Sequence, residues 1–279
     1  MKRKLVVLVL SVIIFFMCYP IIFLVTGSIT GESEIWELLA PMLNEGNTTA
    51  NWQLFPRYPT LRAYVELLLD TPEFFVMFWN SVKITLGTLV GQILIGIPAA
   101  WGFARYKIPW KKGIFFLYIA FMLMPFQIMM LSNYLVLRQL GILDSLKAVI
   151  LPGVFSTFPV VIMAYFFEKI PHEVVEAARI DGANERSIFL YVGLPLGREG
   201  IFSILMLGFL ECWNLIEQPL IFLEQPERYP LSLLLPTIKV GEVGIAFVAS
   251  IIILIPALLI FMWGTKYIED GISVVVVKE

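Results

Sequence analysis

Residues 168–198 read EKIPHEVVEAARIDGANERSIFLYVGLPLGR, a polar, helix-forming segment between two apolar runs. Pro171 can open a helix, because its missing N–H would be unpaired in the first turn anyway. Glu173 and Glu176 fall in the first turns, where negative charge suits the helix dipole. Val174, Val175, Ala177 and Ala178 make a small apolar surface. Asp181-Gly182 then stops the helix, since glycine tolerates the left-handed conformation of a C-terminal cap. Asn184 caps a second short helix running to about residue 192, and Pro195 marks the turn into the next apolar run. The segment is therefore a helix–glycine–helix elbow. Its alanines let another protein come close, and Arg179, Glu185 and Arg186 offer polar contacts. Periodicity alone leaves two readings open, an amphipathic elbow lying on a membrane and a docking element.

The chain on either side of the elbow settles the solvent. Of the 279 residues, 59% are hydrophobic and 15% charged, against roughly 25% charged in an ordinary soluble domain. A soluble fold of this size could not keep so much apolar surface from water. Spanning the hydrocarbon core of a bilayer takes roughly 20 residues of helix. Six runs qualify, at about 5–25, 76–102, 113–131, 147–167, 199–223 and 244–267. No strong alternation runs through them, which argues against a β-barrel. The expected fold is an all-α membrane protein of six transmembrane helices. Residues 1–75 hold the first helix and an outer segment, and 76–279 a core of five helices with the elbow at 168–198.

Charge orients these spans. With the N-terminus inside, 13 of the 20 Lys and Arg lie on the inner side, among them Lys2, Arg3, Lys4, Arg105, Lys107, Lys111 and Lys112. The other 7, including Arg57, Arg62, Arg138 and Arg228, lie outside. This asymmetry places both termini in the cytoplasm. The Met1-Lys2-Arg3-Lys4 start resembles a signal peptide, but the apolar run is too long and no small-residue cleavage site follows. Cys18 and Cys212 lie in spans and suggest packing rather than a disulfide or a metal site.

Several segments carry weaker signals. The outer stretch 28–75 contains Trp36, Trp52, Pro56, Pro59 and Pro72, with a short interfacial helix expected over 61–69. Gly87 and Gly91 form a small-xxx-small pair that permits close helix approach. Pro125, Pro152, Pro159 and Pro256 sit in or beside spans, where they free carbonyls that need other partners.

The elbow residues also carry a family resemblance. Glu176-Ala177-Ala178, three residues, Gly182, nine residues, then Val192-Gly193-Leu194-Pro195 resembles the coupling-loop signature of ABC importer permeases, with Val for Ile as the one change inside it. Ile170-Pro171 through Asp181-Gly182-Ala183, Thr60-Leu61-Arg62-Ala63-Tyr64 and Asn80-Ser81 resemble the carbohydrate branch, nearest to the six-span partner of the maltose-type pair. Glu199 stands where members often have Pro. The resemblance implies a type I ABC importer permease fold on a bacterial or archaeal cytoplasmic membrane. It implies a homologous second permease, two copies of a cytoplasmic ATPase and an extracytoplasmic solute-binding protein as partners, besides membrane lipid. Nucleic acid is not expected. By the same resemblance Glu176, Ala177, Ala178, Arg179, Asp181, Gly182 and Pro195 couple the chain to the ATPase. The tail 271–279 is a further ATPase contact in relatives.

No GxxxxGK[ST] phosphate loop occurs, so ATP and Mg2+ are expected on the partner ATPase, with no cofactor and no catalytic residue in this chain. His172, the single histidine, reads as an exposed polar side chain or a partner contact. Intramembrane carboxylates are costly and usually face the bundle interior or water. Glu211, Trp213, Asn214 and Glu217 are therefore candidates for a substrate path, with interhelical hydrogen bonding as the alternative. In the outer loop 224–241, Gln225, Glu227, Arg228 and Tyr229 are candidates for contact with the solute-binding protein. The cargo reading is an oligosaccharide or related sugar moved by alternating access. The rival is an ion-coupled secondary transporter, against which the elbow argues; an intramembrane hydrolase lacks a paired nucleophile and base.

Overall fold

A computed structural model of the chain describes residues 2–44, 53, 55–107, 109–237 and 242–276. Trp52, the end of the outer loop at 238–241 and the tail at 277–279 lie outside the described residues, as do the side chains of the tail from 271 onward. In chain order the helices are α1 (Lys2–Ser28), α2 (Glu32–Asn44), α3 (Arg62–Val65, continued by a π turn Glu66–Asp70), α4 (Pro72–Gly91), α5 (Ile97–Arg105), α6 (Lys111–Leu123), α7 (Phe126–Gln139), α8 (Leu146–Val154), α9 (Thr157–Glu168), α10 (His172–Ile180), α11 (Glu185–Ile188), α12 (Leu194–Leu196), α13 (Arg198–Trp213), α14 (Glu217–Phe222), α15 (Leu234–Thr237) and α16 (Val243–Val276).

Among the described residues, four helical stretches are long and apolar enough to cross a membrane by themselves: Lys4–Ser28, Pro72–Arg105, Leu146–Glu168 and Val243–Gly264. Two bent pairs bring the total to six when each counts as one span. The run expected at 113–131 is divided between α6 and α7, and the run at 199–223 is carried mainly by α13, which meets the helices of the elbow at 71°. α6 and α7 meet at 104°, because Pro125 lacks an N–H and holds Met124 in an extended conformation, ψ 125°. The 13 residues of α6 reach only about 20 Å. α13 ends at Trp213. Asn214 turns its amide back onto the Leu210 carbonyl at 2.8 Å.

The chain forms two compact units, Met1–Val76 with Leu233–Pro256, and Met77–Ser232 with Ala257–Glu279. In the first, residues 4–22 of α1 are exposed all round, as suits a helix whose solvent is lipid. Its end packs on α16, with the Phe23 and Phe247 rings 5.3 Å apart. The outer segment is held by the buried carboxylate of Glu34, which accepts the backbone N–H groups of Arg57 at 2.9 and 3.1 Å and of Tyr58 at 3.3 Å. Ser28 and Tyr64 hydroxyls meet at 2.9 Å. The helix expected over 61–69 is present as α3 and its π turn, Arg62 to Asp70.

The second unit is built around α5 and α9. Ile97, Ala100, Trp101 and Ala104 pack on Val160, Met163, Ala164 and Phe167, with Trp101 edge-on to Phe167 at 5.1 Å. α4 lies close against α8: a Cβ on Gly91 would come within 2.3 Å of Val154, and one on Gly87 within 3.1 Å of Ile150. Gln92 donates to the Gly153 carbonyl at 2.9 Å beside that contact. A third cluster joins α7, α8 and α14 through Leu137, Ala148 and Phe222.

Candidate functional site

The elbow is built by opposing faces of one short helix. In α10, Val175 is buried and Ala178 packs beside it on the α5–α9 core. Val174, Glu176, Ala177 and Ile180 point away and are exposed, Ile180 at 86%. The apolar surface expected from Val174, Val175, Ala177 and Ala178 is thus two surfaces, one internal and one free. Gly182 takes φ +84°. Its N–H bonds the Arg179 carbonyl and the Ala183 N–H bonds the Ala178 carbonyl, both at 3.0 Å. That is the paired 5→2 and 6→1 pattern of a glycine-terminated helix. Asn184 then caps α11, its Oδ1 accepting the Ser187 N–H at 2.8 Å.

α11 continues through a π turn, Phe189–Gly193, into α12. Pro195 sits exposed inside α12. The turn into α13 falls two residues later, at Gly197, with a 71° bend. The Phe167 ring fills the space there, 2.5 Å from where a Cβ would be, so the turn belongs to the glycine and not to the proline.

Two residues from the end of α5 fasten the elbow; the sequence marks Arg105 only as an inner-side charge and Tyr106 not at all. Arg105 Nη2 donates to the Phe167 and Ile170 carbonyls, each at 2.6 Å, and Nη1 lies 3.3 Å from His172 Nδ1. Its guanidinium stacks over Trp101 at 5.4 Å. Tyr106 donates to Glu185 Oε2 at 3.0 Å, while Arg179 Nε donates to Glu185 Oε1 at 2.9 Å. Glu185 thereby ties α10, α11 and the end of α5, and its hydrogen bond holds the Arg179 guanidinium above its ordinary range. The signal missed was a lone Arg–Tyr step closing an apolar helix.

The four residues proposed for a substrate path separate. Glu211 and Asn214 are exposed, whereas Trp213 is buried, stacked on Phe209 at 5.5 Å and edge-on to Phe78 at 5.9 Å. Glu217 leaves the span for α14, and both of its oxygens accept from Gln127 Nε2, at 2.7 and 2.9 Å. Gln127 lies just past the break at Pro125 and was not singled out by sequence.

The outer loop also divides. Gln225 and Glu227 are exposed around a short turn, Pro226–Arg228. Arg228 turns inward and binds the Asp144 carboxylate and carbonyl, and Tyr229 packs on Ile84, Val149 and Leu223. Asp144, at φ +52°, also accepts the N–H groups of Glu224 at 2.9 Å and Gln225 at 3.1 Å. These bonds, the Glu224 amide first, hold its carboxyl below the usual aspartate range. Asn80 Nδ2 reaches the carbonyls of Glu227 at 2.8 Å and Tyr229 at 3.2 Å.

The fold is that of a helical membrane protein with bent spans and a glycine-stopped elbow. Residues 92–274 match the family described as the binding-protein-dependent transport system inner membrane component, and the chain belongs to that family. It is similar to the lactose transport system permease protein LacG of Rhizobium radiobacter, at 26% identity over 94% of this chain and 92% of the relative. It is similar to a probable ABC transporter permease of Pyrococcus horikoshii, at 30% over 79% and 82%. It is also similar to the arabinooligosaccharides transport system permease protein AraQ of Bacillus subtilis, at 28% over 93% and 90%. A chain from the crystal structure of a bacterial ABC transporter involved in import of the acidic polysaccharide alginate shares the fold. Its TM-score is 0.82 at 21% identity, covering 95% of this chain and 96% of that one. The protein is therefore a permease subunit of an ABC importer, working with an ATPase and a solute-binding protein, and the ion-coupled alternative is set aside.

Proposed function

We propose that this chain is one half of a permease pair in a bacterial or archaeal cytoplasmic membrane, with both termini cytoplasmic, and that the complex imports an oligosaccharide. A homologous second permease, two ATPase copies that hold ATP and Mg2+, and an extracytoplasmic binding protein complete it. The observation that carries the reading is the two-faced elbow: Val175 and Ala178 rooted in the α5–α9 core, Glu176, Ala177 and Gly182 free on the other side. A load applied to the free face passes into the core through buried contacts and through Arg105 and Glu185. Glu176, Ala177, Ala178, Arg179, Asp181 and Gly182 are the coupling residues, with Pro195 at the far shoulder.

The cargo class rests on relatives whose names refer to lactose, arabinooligosaccharides and diacetylchitobiose. Glu211, Asn214 and Glu217 offer the polar groups such a cargo needs along the path, while Trp213 supports them from within the core. Gln225 and Glu227 form the exposed rim offered to the binding protein, on a loop whose shape Arg228 and Tyr229 maintain. The test is reconstitution of the permease pair, ATPase and binding protein in vesicles. ATP-dependent uptake of a neutral oligosaccharide is the expected result; a complex that assembles and hydrolyses ATP but accumulates none of these sugars contradicts the cargo class.

A further inference from the structure

The Gln127–Glu217 bridge joins the two places where spans three and five are broken. α7 begins directly after the 104° bend at Pro125, and α14 begins after α13 stops at Trp213. The bridge is on the surface of the chain, with Gln127 and Glu217 both exposed. What holds α7 to α14 lies beneath it: Phe222 at 1% and Leu137 at 4% exposure, with Phe126 edge-on to Phe222 at 6.1 Å. An apolar joint of that kind gains from burial whether or not the polar pair above it is made. The pair is therefore free to exchange partners without parting the helices.

Its charge is distinctive. Residues 113–137 contain no charged side chain, and in 200–223 only Glu211 and Glu217 are charged. A carboxylate between such apolar stretches is not left against lipid but faces the bundle interior or water. An ionised carboxylate is an acceptor only, with two oxygens, and Gln127 offers it two N–H donors from one nitrogen. Two neighbouring hydroxyls of a sugar offer the same two donors. With no Lys or Arg within either stretch, an anionic cargo finds no counter-charge there.

We infer that the Gln127–Glu217 bridge is a latch on the transport path, closed by the carboxamide in the absence of cargo and opened when a hydroxyl pair of a neutral saccharide takes its place on Glu217. Gln127 is thereby a specificity residue, and its released amide binds a further hydroxyl. The inference rests on the oligosaccharide reading given above.

The test compares the wild-type complex with Gln127→Lys and Gln127→Asn in proteoliposomes, using arabinotriose, lactose and diacetylchitobiose. A lysine turns the bridge into an ion pair that cargo hydroxyls cannot displace, and an asparagine is too short to make it. The Lys complex is expected to assemble with unchanged thermal stability but to lose uptake by about tenfold or more, as a bond between two charged groups replaces one in which only the carboxylate is charged. The Asn complex is expected to assemble, to hydrolyse ATP faster without cargo and to discriminate less among the three sugars, since its shorter amide reaches neither Glu217 nor the further hydroxyl. Normal uptake by the Lys variant overturns the latch. Loss of assembly in both variants also overturns it, since the bridge is then structural. A wild-type complex that takes up none of the three sugars overturns the cargo reading, and the latch with it.

Discussion

Gly182 holds the elbow by its conformation alone. At φ +84°, no atom of the described residues lies within 4 Å of where its Cβ would be, so an alanine there meets only the strain of a left-handed residue. Gly182→Ala is predicted to cost about 1–2 kcal/mol, seen as faster amide exchange over 172–183; unchanged exchange contradicts the cap. Asp144 makes the matching prediction outside. Its folded carboxyl titrates below the ordinary 3.8, so the charged form stabilises the loop. That stabilisation is fully present above pH 3.8 and is lost as pH falls through the lower folded value. The amides of Glu224 and Gln225 should stay protected at pH 5 and 7 and open only in stronger acid. Opening near pH 6 would show that another group controls the loop.

At the scale of elements, the sequence was most legible where a local rule decides the structure. The stop at Asp181-Gly182, the cap at Asn184 and the close approach at Gly87 and Gly91 follow from single-residue chemistry, and each is seen. The six apolar runs fall on single helices or bent helix pairs, but the places of the bends were not legible. Apolar runs around Pro125 and Asn214 look continuous, and their breaks depend on a proline's hold on the residue before it and on an asparagine turning back on its own helix. The bonds from Arg105, Gln127 and Asp144 bridge 62 to 90 positions along the chain, which no local pattern encodes. Arg105 gives the element-scale prediction. Arg105→Met keeps an apolar stem of similar length but removes the guanidinium from over Trp101 and leaves the Phe167 and Ile170 carbonyls without their donor. Losing charge-assisted bonds at a half-buried site costs on the order of 2 kcal/mol, so α10 should exchange faster while α4 and α8 are unchanged. A uniform effect along the chain would argue against a local clamp.

Taken as a whole, the molecule separates the tasks of a permease along its length. On the proposed path, Gln127 just past Pro125 and Asn214 and Glu217 just past the end of α13 supply the polar groups for a cargo. The elbow carries no such groups inward; it offers small residues outward and roots them in the α5–α9 core. The claim on which the rest depends is that this free face takes the load from the ATPase. The most direct measurement is on Ala177→Trp, because Ala177 is exposed and makes no core contact. A surface change of this kind should leave the purified permease within about 0.5 kcal/mol of wild type. The account predicts that the stable variant no longer retains the ATPase on purification and shows no ATP-dependent uptake. A variant that retains the ATPase and transports at the wild-type rate would contradict it.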